Sequence, residues 1–309
     1  MLIYNNVGIT DFQIIQINEI SYTSQKILFF CTFISIAIKT PLFPFNTWLT
    51  YAHSEAPVGG SIVLAGVILK LSVYGFLRIV VDFFSDSSYH YIPIVSVLCV
   101  LSIIYASLTT LRQIDFKKLI AYSSVAHIGV CMLGVFSNTM QGIEGSILLS
   151  IAHGFVSPAL FFMLGQILYD RYHTRIIQYY RGLNTQIPVF GIFFFIFTIC
   201  NAAVPLSANW LGELLSLIGF FKQNIFITLL ASLSIVLSAC YSIFLFNRIN
   251  FGDIIHYQIS KPDVNRQEFM VLLPLLVITF IFGIFPIVAL DSLHITTSNW
   301  IYSLYICNE

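Results

Sequence analysis

Residues 268–290, EFMVLLPLLVITFIFGIFPIVAL, open on a glutamate and then run through 22 residues without another ionisable group. About 20 consecutive apolar residues are what a helix needs to cross a bilayer, and in hydrocarbon the backbone must satisfy its own hydrogen bonds. Residues 187–200, IPVFGIFFFIFTIC, are likewise apolar all round, with no stripe left for water. The whole chain follows suit. It is 58% hydrophobic and 9% charged, against roughly 45–50% and 25% in soluble domains. We read it as an all-α, polytopic membrane protein and set aside a soluble core.

Eight spans are predicted, at 24–50, 59–82, 91–111, 117–136, 142–169, 187–221, 224–248 and 268–290. The tail, 291–309, is too short and polar for a ninth, and is expected at the membrane interface with Trp300, Tyr302 and Tyr305 as anchors. The polar lead, 1–23, lacks the basic and apolar regions of a signal peptide and the arginines of a transit peptide. High Phe, Ile and Tyr usage suits an AT-rich organelle genome. Outside the span centres, Arg112, Lys117, Lys118, Arg171, Arg175, Arg181, Arg248, Lys261 and Arg266 fall on one side, nine against Lys26, Arg78 and Lys222 on the other. The positive-inside rule turns the side with nine toward the cytoplasm or matrix. Both termini are then expected on the opposite side. The six cysteines are scattered, without a CxxC or a histidine pair at ligand spacing, so neither a metal site nor a disulfide is expected.

Two spans are interrupted. The first contains KTPLFPFNTWL, with Pro41 and Pro44; the sixth contains NAAVPLSANWLGELL, with Pro205. Proline removes a backbone donor and clashes with the preceding turn, which frees carbonyls for other partners. In transporters, interrupted helices at matching places in two halves mark the ion site, and here each break is followed by an Asn and a Trp-Leu pair. A kink that only shapes packing is the plainer reading of either break alone.

Charged and titratable residues also lie inside the spans. At about 1.5 Å per residue, Lys70 is roughly 16 Å into its helix, His127 and His153 about the same, Lys39 about 20 Å, and Glu213 about 13 Å from the end of its own. All five are expected near the midplane. Lysine or a carboxylate at a helix centre costs about 2.5–3.5 kcal/mol, so Lys39, Lys70 and Glu213 together oppose insertion by about 8–10 kcal/mol unless they face polar groups or water. A lysine withdrawn from water can lose and regain its proton, and histidine titrates near neutrality and relays between neighbours. The structural alternatives are an ion pair that locks two helices, or histidines that are hydrogen-bonded packing residues. Glu144 opens its helix, where a carboxylate favours the helix dipole. Asp115, Lys117 and Lys118 are expected to cap and orient a helix entry.

Four stretches carry a resemblance: residues 39–78, KTPLFPFNTWLTYAHSEAPVGGSIVLAGVILKLSVYGFLR; 111–130, LRQIDFKKLIAYSSVAHIGV; 144–171, EGSILLSIAHGFVSPALFFMLGQILYDR; and 241–252, YSIFLFNRINFG. Together they resemble the chain 4 family of NADH:ubiquinone oxidoreductase, the antiporter-like membrane-arm subunits of respiratory complex I. The likeness extends from about Gln25 to Pro286. It implies two inverted five-helix repeats, each with a discontinuous helix, and a hydrated charged axis through the membrane. On this resemblance Lys39 matches the lysine of the first broken helix, which pairs with a glutamate two helices earlier. Lys70 matches the bridging lysine, His127 and His153 the central histidines, and Glu213 the acidic residue of the second broken helix, where sister chains 2 and 5 typically have lysine. Family members begin six helices earlier. Residues 24–82 then correspond to the last two helices of the first repeat, 91–250 to the complete second repeat, and 268–290 to a final helix. Asn46 and Thr50 depart from the family's usual His and Pro.

What the resemblance implies is a proton-translocating subunit of the mitochondrial inner membrane, the C-terminal part of a split chain, with an incomplete sequence as the competing explanation. It would hold no cofactor itself, with FMN, iron–sulfur clusters and ubiquinone elsewhere in the complex. Its expected partners are a companion chain carrying the first six helices, chains 2 and 5, accessory subunits and lipid, with no nucleic acid. The alternatives are a subunit of a multisubunit sodium/proton antiporter, or a non-conducting spacer of the membrane arm.

Overall fold

The computed structural model describes Tyr4, Gly8, Phe12 and residues 20–253 and 261–306, with side chains to Tyr302. Most of the polar lead and the Tyr305 side chain therefore lie outside the described residues. The described chain is helical between short turns and contains no strand, only an isolated bridge between Asp115 and Ile176. The longer helices are α1 (Tyr22–Lys39), α2 (Thr47–Glu55), α3 (Val58–Val81), α4 (Ser85–Arg112), α5 (Phe116–Val135) and α6 (Met140–Tyr172). They continue with α7 (Pro188–Asn201), α8 (Ala208–Phe221), α9 (Ile225–Asn250), α10 (Arg266–Ile284) and α11 (Ile287–Ile306).

Several helices begin where a side chain caps the first free N–H groups. Thr139 accepts from Gly142 N at α6, Ser207 from Trp210 N at α8, and Asn224 from Ile227 N at α9. At α10, Asn265 and Glu268 form a capping box. Helices α3, α4, α5, α6, α9 and α10 are each long and apolar enough to cross a membrane. The first and sixth predicted spans are each divided, into α1 with α2 and α7 with α8. The third starts earlier than predicted, at Ser85, because Pro93 is accommodated inside α4. The last ends at Ile284, and Pro286 follows as the chain turns into α11. The tail predicted at the interface thus forms a 20-residue helix.

The loops joining α4 to α5, α6 to α7 and α9 to α10 share one side, here called the basic face. The opposite side, where α3 meets α4 and α5 meets α6, is the far face. Two hydrophobic clusters fill the bundle. One holds Phe33, Phe76, Val95, Met132, Phe136 and Phe220 toward the far face; the other holds Phe116, Phe161, Leu164, Phe190, Phe194 and Ile249 toward the basic face. They part between Ala65 and Leu69 on α3, between Ala121 and Val125 on α5, and between Leu149 and Val156 on α6. A polar layer occupies that level.

Helices α6 and α8 meet through small residues. A Cβ on Gly212 would lie 2.6 Å from the Leu149 Cα, and one on Gly145 2.5 Å from the Ser216 N. Close backbone approach of this kind is how apolar helices associate in lipid. It draws the first turns of α8 to the centre of the bundle.

Candidate functional site

The polar layer is a row of side chains from five helices. On α3, a π-helical turn, Leu64–Ile68, precedes Lys70 and widens the backbone so that Lys70 Nζ donates to the Ala65 carbonyl at 2.5 Å. The same ammonium lies 2.9 Å from His153 Nδ1 of α6. His153 and His127 of α5 have ring centroids 5.3 Å apart. His127 Nδ1 is 2.6 Å from Glu213 Oε1 of α8, and Tyr241 OH of α9 is 3.4 Å from His127 Nε2. His127, His153 and Glu213 are 3%, 2% and 2% exposed, so bulk water does not screen them.

Two buried polar atoms of the row lack a partner, His153 Nε2 and Glu213 Oε2. Buried polar groups are ordinarily hydrogen-bonded, with water filling the gaps. Between Lys70, His127, His153 and Ser150 lies a cavity of about 10 Å³, large enough for about one water. The arrangement can therefore pass a proton from ammonium to imidazole, across a short gap to the second imidazole, and on to a carboxylate.

Both breaks are held by side chains of the following half-helix. Beyond Pro41 and Pro44, Trp48 Nε1 donates to the freed Ile38 carbonyl at 2.7 Å; beyond Pro205, Asn209 Nδ2 donates to the Cys200 carbonyl at 3.0 Å. In the echoed Asn and Trp-Leu pairs the roles are exchanged, and Asn46 Nδ2 is buried without a partner. In the second break Ala203 and Leu206 adopt φ of 54° and 78°, a left-handed conformation that non-glycine residues take at a cost of about 1–2 kcal/mol.

Lys39 is not brought into this row. It is exposed at the end of α1, makes no ion pair among the described residues, and borders an open cavity of about 820 Å³ with Ile36, Trp48 and Ser72. Asp115 occupies the N-cap position of α5 without a side-chain cap bond, and pairs with Lys118 at 3.7 Å. Lys117 is 2% exposed and reaches to the end of α2, donating to the Ala56 carbonyl at 3.1 Å beside Arg175, which donates to the Ser54 carbonyl. Cations here satisfy a helix C-terminus, which differs from the expected helix entry. Glu144, expected to face its own helix dipole, instead accepts a hydrogen bond from Thr297 of α11 and lies 2.9 Å from His294 Nδ1.

Two participants escape the sequence reading. Tyr241 enters it only as part of a motif, although Ser234, Ser238 and Tyr241 lie at helical spacing along one stripe of α9 and are all buried. His53 is fully buried, stacks on Phe161 at 4.5 Å, and has both ring nitrogens unpartnered. It stands within electrostatic range of Lys117 and of Lys70 and His153. It makes no side-chain hydrogen bond to any of them. A histidine at the end of the half-helix after a break is the available signal.

Comparison with known proteins shows the family and the fold. Residues 1–238 match a family described as NADH:quinone oxidoreductase/Mrp antiporter, TM. The chain is 57% identical to NADH-ubiquinone oxidoreductase chain 4 of Mycosarcoma maydis over 98% of its own length and 63% of the relative's. It is 48% identical to that of Chondrus crispus over 96% and 60%. Among solved structures it is similar to a chain of respiratory complex I from Thermus thermophilus with bound NADH, at a TM-score of 0.90 and 27% identity, covering 98% of this chain and 64% of that one. A chain of the Mrp complex from Dietzia sp. DQ12-45-1b shares the fold at a TM-score of 0.85 and 19% identity, over 99% and 65%. The chain thus spans about three fifths of the length of the curated relatives it matches.

Proposed function

Because this chain belongs to the NADH:quinone oxidoreductase/Mrp antiporter transmembrane family, we propose that it is the C-terminal part of a chain 4 subunit that translocates protons in the membrane arm of respiratory complex I. It is a subunit of a proton-translocating NADH:ubiquinone reductase and carries out no bond chemistry. FMN, iron–sulfur clusters and ubiquinone act elsewhere in the complex. Its place is the mitochondrial inner membrane, with the basic face toward the matrix and both termini on the intermembrane-space side.

The observation that carries this reading is the succession of Lys70, His153, His127 and Glu213, with a 2.9 Å contact at one end, a 2.6 Å contact at the other and the two imidazole centroids 5.3 Å apart between them. Lys117 and His53 lead toward it from the basic face. A change of charge on Lys70, driven by redox events elsewhere, alters the proton affinity of His153 and in turn of His127 and Glu213.

Lys39 belongs to the same axis through a carboxylate supplied by the six helices that precede this region in the relatives. Its exposure beside an open cavity supports that placement. Chains 2 and 5 and accessory subunits adjoin this chain in the membrane arm.

Lys70→Met and Glu213→Gln variants test the reading in the assembled complex. Each should lower the protons moved per electron while the complex still assembles. An unchanged ratio would make the chain a non-conducting spacer, and redox-independent sodium/proton exchange by the purified assembly would assign it to an antiporter.

A further inference from the structure

Between α3, α6 and α11 lies a cavity of about 400 Å³ that the row of titratable groups leaves unused. Lys70 and Ser150 line it at one end, Asp82 and Trp300 at the far face, and Thr297 of α11 between them. Helix α11 is pinned over it by two carboxylates of the bundle. Trp300 Nε1 donates to Asp82 Oδ1 at 3.0 Å, and Asp82 also pairs with Arg78. Glu144 Oε1 accepts from Thr297 Oγ1 at 3.1 Å and lies 2.9 Å from His294 Nδ1.

The two members of the Glu144–His294 pair differ in access to solvent. Glu144 is buried, its side chain 11% exposed, whereas that of His294 is 65% exposed. Holding α11 against α6 needs neither a carboxylate nor an imidazole, since apolar contact would suffice, and withdrawing a carboxylate from water is costly. Such a pair is suited to exchange, with one group facing inward and its partner facing out. Thr297, hydrogen-bonded to Glu144, also lines the cavity that reaches Lys70.

We propose that Glu144 and His294 form a proton-exchange site on the far face, joined to Lys70 by water in this cavity. The proposal rests on the proton-translocation reading above. The Lys70 ammonium gives a proton to cavity water and becomes the neutral amine. The hydronium gives a proton to Thr297 Oγ1, which lines the cavity and passes its own hydroxyl proton to the Glu144 carboxylate; Glu144 hands it to His294 Nδ1, and the imidazolium then releases its Nε2 proton to solvent. Only a proton moves: Lys70 is left one charge unit lower and each relay returns to its starting charge. Thr297 is the link between the cavity and Glu144. The walls contributed by Val73, Leu77, Ile143 and Leu293 are apolar, so the competing occupant is a lipid acyl chain.

Ser150→Cys in the assembled complex separates the two occupants. A cationic, membrane-impermeant methanethiosulfonate needs a hydrated thiol, whereas a lipid-soluble maleimide also partitions from the bilayer. The reagents are added to each membrane side in turn, with the unsubstituted complex measured alongside. Modification by the cationic reagent from the far face, slowed about tenfold by Thr297→Phe, is expected. Ile147→Cys, on the same wall, serves if Ser150→Cys does not assemble. Modification by the maleimide alone, or by neither reagent, overturns the water path whatever Lys70→Met does to pumping. Combined with Ser150→Cys, Glu144→Gln and His294→Gln should each lower the protons moved per electron while leaving labelling of the introduced thiol intact. Normal pumping in both variants would overturn the exchange role.

Discussion

His53 is the residue whose chemistry most exceeds its prominence in the sequence. It is fully buried, both nitrogens are free, and it stands between the Lys117 cluster and the Lys70–His153 pair. His53→Phe preserves the aromatic stack on Phe161 and removes both nitrogens. We expect a normally assembled complex whose proton-coupled turnover falls on the order of tenfold, equivalent to about 1.4 kcal/mol on the limiting step, measured as quinone reduction under a proton gradient. Unaltered turnover would restrict His53 to packing. Lys70, His127, His153 and Glu213 were legible in the sequence because charge inside an apolar run is costly and therefore conspicuous. His53 and Tyr241 were not, since each lies within a recognisable stretch and its role depends on neighbours distant along the chain. Lys39 was expected among the buried groups, yet its surroundings within the described residues leave it at an exposed face.

At the level of elements, prolines announced both breaks, but not how each is held. Trp48 donates to the freed Ile38 carbonyl, whereas the Cys200 carbonyl that Asn209 reaches also accepts from the Ala203 N–H. Trp48→Phe removes one partly exposed bond, and Asn209→Leu removes one bond to a carbonyl that keeps its backbone donor, so each should cost about 1 kcal/mol, read as a lower melting temperature of the solubilised assembly. A loss of about 3 kcal/mol for Asn209→Leu would show that the second break depends on its side-chain tie. Helix α11 was legible as a tail too polar for a ninth span, and it is not among the helices long and apolar enough to cross a membrane. How it docks was not legible, since its partners, Asp82 and Glu144, lie far upstream. Such pairing leaves no local pattern.

Across the whole molecule, the two hydrophobic clusters and the polar layer between them depend on how closely α8 approaches α6. Gly212→Val would drive a side chain into the Leu149 backbone. Overpacking of this kind costs typically about 1–3 kcal/mol, and here it would also part Glu213 from His127. We expect less assembled complex and, in what assembles, weakened pumping; native electrophoresis and proton counting measure the two. The count of lysines and arginines predicts a sidedness for the loops, because each added or missing span would exchange the two sets. Which helices touch was not legible in the sequence, since nearly every face is apolar. The proposed proton path puts Lys70 and Glu213 in one series, and residues that act as a unit are strongly non-additive. Protons moved per electron should therefore be counted for Lys70→Met, Glu213→Gln and the double variant in the assembled complex. The same lowered ratio is expected in all three. A double variant that loses the sum of the two single losses, or loses nothing, would show that the two residues do not act in series.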